Sequence, residues 1–312
     1  MVELSVRSVD TKAYGRNKTV TILQKLQTKN LIHPPDWLLT NTHYLTIMGS
    51  HAYGTSKEDS DLDIYGFCTP KKDMVFPHLA GEIRGFGKQI NRFEQWQESH
   101  IVDKEINREY DFTVFGIVRY FQLLMENNPN VLDSIWTPQD CVLHITGVGT
   151  LVRENRKIFL HKGCWPKFKG YAFSMLHKMT TKEPTGKRKA LREEMGFDVK
   201  FAMHVVRLLY EAEQILQSGD MDIQRDREHL KAIRRGTISE EEIRKWASEK
   251  EASLEKLYEQ SKLPWGPDED KIKTILLQCL EHHYGDLSKA VVVQDKYTKC
   301  VTEIQAVLNK YS

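Results

Sequence analysis

Two aspartates on one short strand constrain this chain more than any other feature. Along residues 60–66 (SDLDIYG), the side chains of a β-strand alternate between faces, so Asp61, Asp63 and Tyr65 share one face and apolar residues occupy the other. Two carboxylates about 7 Å apart along a strand repel each other, and a hard divalent cation removes that cost. The strand therefore predicts a site for Mg²⁺, or for Mn²⁺ in its place.

A glycine–serine pair precedes this strand. Gly49 and Ser50 follow a predicted strand at Tyr44–Met48, where a short helical turn is expected to begin. Glycine lets the backbone approach a phosphate closely, N–H groups at a helix start favour an anion, and the serine hydroxyl adds a donor. We therefore predict that Gly49 and Ser50 bind nucleotide phosphates. The combined spacing GSxxxGTxxxxSDxD is far more specific than either pair of residues alone.

This spacing resembles the signature of the polymerase-beta-like nucleotidyltransferase superfamily. Within it, the chain is similar to predicted bacterial and phage nucleotidyltransferases, some of which are associated with RNA ligases. The likeness extends to residues 128–133 (NPNVLD), 169–172 (KGYA), 196–209 (GFDVKFAMHVVRLL) and 219–236. It implies an α+β fold, in which an N-terminal polymerase-beta-like palm of mixed β-sheet and helices precedes an α-helical C-terminal domain.

The superfamily needs a third carboxylate on a neighbouring strand. We predict Asp111, because it lies on an alternating strand at Glu109–Phe115 whose other face is apolar. Glu109 and Asp103 are alternatives. With Asp61 and Asp63, the resemblance implies that Asp111 serves both as a catalytic residue and as a ligand of two Mg²⁺ ions.

The resemblance implies transfer of a nucleoside monophosphate from a nucleoside triphosphate to an acceptor hydroxyl, with release of pyrophosphate. An RNA 3′ end, such as that of tRNA, is the favoured acceptor. A protein-AMPylating enzyme or toxin of the same fold and a small-molecule acceptor stay open, as does a non-catalytic nucleic-acid-binding module. A metal-dependent phosphodiesterase is disfavoured, because His51 is the one additional ligand near the aspartates.

The C-terminal half is basic at its start. Between Arg153 and Arg207 there are 14 Lys or Arg residues against 5 Asp or Glu residues, an excess that favours an RNA partner. On a predicted helix, Lys200, His204 and Arg207 fall at i, i+4 and i+7 and form one polar stripe. We predict that this stripe binds the triphosphate or an acceptor phosphate; an exposed face of ordinary charge is the alternative.

The sequence predicts a helix at residues 17–27, a strand at residues 62–69 and a helix at residues 116–125 that residues 127–130 stop. The pattern changes from strands to helices after residues 136–138, and the first of these later helices is predicted at residues 148–161. We predict a nucleotidyltransferase catalytic domain at residues 1–140 and a helical substrate-binding domain at 141–312. Ser239 and Glu242 form a predicted capping box. Residues 79–108 are expected to form strands or a hairpin with an exposed loop, and Gly85-Phe86-Gly87 within them lacks the flanking elements of a dinucleotide site.

The compartment is inferred from cysteines and hydropathy. The five cysteines are odd in number and show no CxxC spacing, as is typical of reduced thiols in the cytoplasm. Cys279, His282 and His283 would share a helix face without a fourth ligand, so no zinc site is assigned. The polar N-terminus and the absence of a long apolar run favour a cytoplasmic protein without membrane contact.

Overall fold

The computed structural model describes residues 21–56, 60–89, 91–183, 187–287, 290, 300, 303–305 and 307–309. Five strands form one mixed sheet in the order β3-β4-β2-β1-β5. Their bounds are β1 Thr42–Ile47, β2 Leu62–Cys68, β3 Gln95–Asp103, β4 Arg108–Gly116 and β5 Val142–Ile145. Strand β2 runs parallel to β4, and the other neighbouring strands are antiparallel.

Helices surround the sheet and make up most of the C-terminal half. Their bounds are α1 Ile22–Thr28, α2 Asp36–Asn41, α3 Gly49–Ala52, α4 Lys72–Val75, α5 Ile117–Met125, α6 Pro129–Trp136, α7 Gly147–Glu154, α8 Cys164–Thr181, α9 Lys187–Met195, α10 Val199–Ser218, α11 Arg227–Arg234, α12 Glu240–Gln260 and α13 Glu269–Tyr284. No helix in the described ranges is long and apolar enough to cross a membrane. The predicted α+β fold is confirmed.

Each face of the sheet packs on its own core. One face meets α1 and α2, where Ile64 and Phe112 are fully buried with Leu23 and Leu38. The opposite face carries Tyr44 and Phe67 into a core built with α5 to α8, α10, α12 and α13. Because alternate residues of β2 face opposite sides, Asp63 lies on the same face as Phe67, toward the helical half.

Most of the predicted elements are present with small shifts at their ends. The strands at residues 44–48, 62–69 and 109–115 are confirmed, and so is the Ser239–Glu242 capping box. The predicted helix at residues 148–161 ends at Glu154 and continues as a short 3₁₀ turn. The predicted helix at residues 17–27 is α1, and its first part lies outside the described residues.

Two elements near the middle of the chain were not predicted. The segment from Asn128 was expected only to stop α5, but its side chain accepts a hydrogen bond from the Val131 N–H and so caps a new helix, α6. Strand β5 pairs with β1, although it follows the expected domain boundary at residue 140. Tyr44 of the sheet and Leu208 of α10 belong to one core, so the two predicted domains pack together. The division at residue 140 stays a prediction.

Candidate active site

The structure brings Asp63 and Asp111 side by side. They are register partners on the parallel strands β2 and β4, whose backbones lie about 4.8 Å apart. Asp61 directly precedes β2 and is exposed to solvent. Asp61 and Asp111 both act electrostatically on Asp63, so the three predicted aspartates lie near one another at the start of β2.

The environment of Asp63 disfavours its charged form. Burial raises the pKa of the Asp63 carboxyl, and the negative charges of Asp111 and Asp61 raise it further. The positive charge of Lys200 opposes this shift, as does His51 to a smaller extent. Like charges are therefore held together at a cost that a bound cation would relieve.

The two alternative carboxylates are engaged elsewhere. Asp103 is buried, and its Oδ2 atom accepts a hydrogen bond of 2.7 Å from the Lys29 ammonium. The Oε1 atom of Glu109 lies 2.7 Å from Nδ1 of His100. Of the three residues considered for the third position, Asp111 is the one that pairs with Asp63.

His100 supports this arrangement through its backbone. The ladder between β3 and β4 shifts register between Glu98 and Ile101, and His100 within this bulge has a φ of 59°. Bulges turn residues away from the regular ladder, and here the His100 N–H donates to Oδ1 of Asp111 over 2.7 Å. Sequence reasoning missed His100, because a bulge leaves no period in the sequence.

Gly49 touches the same cluster from the end of β1. Its φ is +63°, and a Cβ atom at this position would lie 2.2 Å from Oδ2 of Asp63. The neighbouring Met48 N–H donates to the Asp63 carbonyl over 2.6 Å. Ser50 is half-buried in the following turn, where its carbonyl accepts the Thr55 N–H at 2.8 Å. Only glycine therefore fits between this turn and the Asp63 carboxylate.

Helix α10 brings the predicted polar stripe to the site in part. Lys200 is exposed near its N-terminus and interacts electrostatically with Asp63. His204 lies one turn further along and is half-buried. Arg207 is only 4% exposed, so it does not line the surface as the predicted stripe required. Helical periodicity alone does not distinguish an exposed charge from one that is paired inside the protein.

Arg207 instead forms the centre of a buried polar cluster. It donates to the Asp133 carboxylate and, over 2.9 Å, to Glu211. Its guanidinium carbon lies 4.4 Å from the centroid of the Tyr53 ring, and the Tyr53 hydroxyl donates to Asp133 over 2.7 Å. Burial raises the pKa of both Asp133 and Glu211, and the charge of Arg207 opposes that rise.

This buried cluster joins three segments that carried the family resemblance. Tyr53 follows the glycine–serine turn, Asp133 belongs to residues 128–133, and Arg207 belongs to residues 196–209. The cluster therefore fixes the turn against α6 and α10. Since Lys200 lies on α10, the same contacts set its position relative to Asp63.

Two further contacts with the turn were missed at the level of sequence. The Gln224 side chain donates to the Ala52 carbonyl over 2.9 Å, and Arg234 of α11 donates to the Thr55 carbonyl over 2.6 Å. Both residues belong to the stretch 219–236, whose likeness to the family gave the only signal. The turn at residues 49–55 is thus held by both halves of the chain.

Much of the predicted basic excess is neutralised within the fold. Lys169 pairs with Glu251 at 2.8 Å and with Glu255 at 2.6 Å, and Lys157 pairs with Asp220 at 2.5 Å. Among the remaining cations, Lys182 is exposed and its ammonium lies 6.0 Å from the ring of Phe201, the residue after Lys200. The region is therefore not one continuous basic surface.

Within the described ranges, no group of three His, Cys, Asp or Glu side chains is arranged to hold a metal ion as it stands. The donor chemistry of Asp61, Asp63 and Asp111 nevertheless fits Mg²⁺, which prefers carboxylate oxygens. The raised pKa of Asp63 is the observation that supports this fit, since burial and the repulsion from the other two aspartates both contribute to it.

Replacement of Asp63 by asparagine is expected to stabilise the metal-free protein at pH 7. The folded-state pKa of Asp63 is raised, so ionisation disfavours the fold as the pH rises, and the cost disappears as the pH falls toward about 4. Urea unfolding in a chelator at both pH values measures this difference, with the exposed Asp73→Asn as control. A lower unfolding free energy of Asp63→Asn at pH 7 would contradict the expectation.

Gly49→Ala is expected to destabilise the protein more than Gly85→Ala. Both glycines have a positive φ, which costs another residue about 1–2 kcal/mol. A Cβ atom added at Gly85 would meet no atom within 4 Å, whereas one added at Gly49 would collide with Asp63. Urea unfolding of both variants, repeated in an Asp63→Ala background, measures the coupling. The collision is refuted if the Gly49→Ala loss is unchanged in that background.

Arg207→Met is expected to lower the free energy of unfolding by about 3–5 kcal/mol, because it leaves the buried Asp133 and Glu211 without their cation. Lys200→Met on the same helix is the control, and its effect should stay within about 0.5 kcal/mol since Lys200 is exposed. Chemical denaturation measures both variants. Equal losses in the free energy of unfolding would show that the buried cluster does not stabilise the fold.

Comparison with known proteins identifies the family of the chain. Residues 19–278 match RlaP, the RNA repair pathway DNA polymerase beta family. No curated protein matches the chain. The match covers most of the sequence, including the turn at Gly49, the paired aspartates and helices α10 and α11. The chain therefore belongs to the RNA repair pathway DNA polymerase beta family.

Proposed function

We propose that this chain transfers a nucleoside monophosphate from a nucleoside triphosphate to an acceptor hydroxyl and releases pyrophosphate. The observation that carries the proposal is the in-register pairing of Asp63 with Asp111, beside Gly49 and within the electrostatic reach of Lys200. Membership in a polymerase beta family supports nucleotidyl transfer as the class of reaction.

Asp61, Asp63 and Asp111 would hold Mg²⁺, or Mn²⁺ in its place. Their oxygens suit a hard cation that keeps water and phosphate oxygens in the rest of its coordination shell. When bound, the metal supplies neutralisation of the triphosphate charge and a lowered pKa of the acceptor hydroxyl. The N–H of His100 occupies one oxygen of Asp111, which restricts the rotation of that carboxylate and leaves its second oxygen for a ligand.

The other residues of the site bind and orient the substrate. The absent side chain of Gly49 leaves room for phosphate oxygens next to Asp63, and the Ser50 hydroxyl is a donor to them. Lys200 would neutralise the charge of the departing pyrophosphate, with His204 beside it on the same helical face. Arg207 acts as a positioning residue, because it holds Tyr53 and the turn that precedes it.

The reaction forms one bond and breaks another at the α-phosphorus. The acceptor oxygen bonds to this phosphorus as the bond to the bridging oxygen breaks, and pyrophosphate leaves with that electron pair. The hydroxyl proton is released to solvent, so the chain needs no dedicated base. The three aspartates, the Lys200 ammonium and the turn at residues 49–55 are sufficient to bind the triphosphate and to stabilise the leaving pyrophosphate.

We infer that the acceptor is the 3′-hydroxyl of an RNA, for which tRNA is the first candidate. The family description refers to RNA repair, and this supports an RNA substrate. Two exposed lysines would attract its phosphates: Lys200, which acts on Asp63, and Lys182, which lies near Phe201 of the same helix. A protein acceptor is the alternative outcome, and the location of the transferred label separates the two.

We expect Asp61→Asn, Asp63→Asn and Asp111→Asn each to reduce transfer by about 10³-fold or more, since each removes a charge that holds the metal. The measurement supplies each nucleoside triphosphate labelled at the α-phosphate, Mg²⁺, and RNA ending in either a 3′-hydroxyl or a 3′-phosphate. Label should enter only the RNA with a 3′-hydroxyl.

Asp73→Asn, which changes an exposed aspartate on α4, is the matched control and should retain full activity. Circular dichroism confirms that every variant is folded. Full transfer by Asp63→Asn or Asp111→Asn would refute the proposed site. Label on the protein itself would show that the acceptor is a protein and not RNA.

A further inference from the structure

An exposed turn at residues 81–89 lies outside the site described above. Its apolar side chains face solvent, with Phe86 75% exposed and Ile83 64% exposed. Isolated apolar residues are common at protein surfaces, but two large ones at the tip of one turn form an apolar patch, which is a candidate binding surface. The dinucleotide interpretation of Gly85-Phe86-Gly87 does not apply, since no helix follows it in the described part of this segment.

The turn is held in a defined shape by one side chain. The amide nitrogen of Gln89 donates to the carbonyls of Ile83 at 3.1 Å and Phe86 at 3.0 Å, and its oxygen accepts the Gly85 N–H at 3.3 Å. Ile83 and Phe86 also form a β-bridge with each other. Phe86 is therefore presented to solvent on a pre-formed support, which lowers the entropy cost of binding.

The positive charge around Phe86 favours a negatively charged partner. Residues 81–93 contain three cations, Arg84, Lys88 and Arg92, against one acidic residue, Glu82. Arg84 and Lys88 are both exposed. An aromatic ring between cations is the combination that binds single-stranded nucleic acid, by stacking with a base and by contacts with phosphates.

The chain that follows the turn joins the sheet beside the strand that carries Asp111. The Glu94 carbonyl accepts the Gly116 N–H over 2.7 Å, and Asp111 lies five residues earlier on the same strand, β4.

We propose that the 81–89 turn binds single-stranded RNA, with Phe86 stacked on a base and Arg84 and Lys88 on phosphates. This role rests on the proposed function for its choice of RNA. It differs from that function in what it governs, which is the affinity for RNA and not the transfer step.

The test measures RNA binding without nucleotide or metal, by fluorescence anisotropy at fixed salt. Phe86→Ala should weaken binding of a single-stranded 12-mer by about 5- to 150-fold, as expected for loss of one stacked base. Phe173→Ala, which removes another partly exposed phenylalanine on α8, is the control.

The charged part of the turn is tested with Arg84→Ala combined with Lys88→Ala, which should flatten the salt dependence of 12-mer binding. The exposed Lys245→Ala on α12 should leave that dependence unchanged. Circular dichroism checks the fold of each variant, and the surface location of the turn makes these substitutions mild.

Failure of this proposal is distinct from failure of the proposed function. If the protein transfers label to RNA but Phe86→Ala binds the 12-mer like the parent protein, the turn has no role in RNA binding. If binding depends on Phe86 but no transfer is found, the turn binds RNA and the proposed nucleotidyl transfer is refuted. No RNA binding by the parent protein, or Phe86-dependent binding only to a protein or a lipid vesicle, overturns the proposal.

Discussion

The parallel pairing of β2 with β4 is the interaction on which the site depends. It places Asp63 directly beside Asp111, and a shift of this register by one residue would turn Asp111 toward the opposite core. That core is formed by α1 and α2 and contains Phe112, so burial of its apolar neighbours fixes the register. The hydrophobic packing of one sheet face therefore determines the electrostatics of the other.

The helical half completes the site by holding the turn that follows β1. Arg207 binds Asp133 and stacks on Tyr53, while Arg234 reaches the Thr55 carbonyl from α11. The charge of Arg207 is buried and that of Arg234 is satisfied by a backbone carbonyl, so these residues position the turn and do not bind substrate. Lys200 of α10 acts electrostatically on Asp63, and it lies where this long helix begins.

The sequence predicted those features that depend on local periodicity. Alternation on β4 predicted the face on which Asp111 lies, because the apolar residues between the polar ones could only face a core. The role of Arg207 could not be predicted, since its partner Asp133 is 74 residues away and a helical stripe looks the same buried or exposed. His100 was missed for a related reason, as its bulge is defined by pairing with another strand.

The central claim is that acidic side chains on adjacent strands jointly hold divalent ions. Anomalous diffraction from crystals grown with Mn²⁺ and a non-hydrolysable nucleoside triphosphate tests it most directly. A manganese peak bridging Asp63 and Asp111, with the triphosphate against Gly49, is the predicted result. Nucleotide bound elsewhere in the protein, with no manganese at these two aspartates, would contradict the claim.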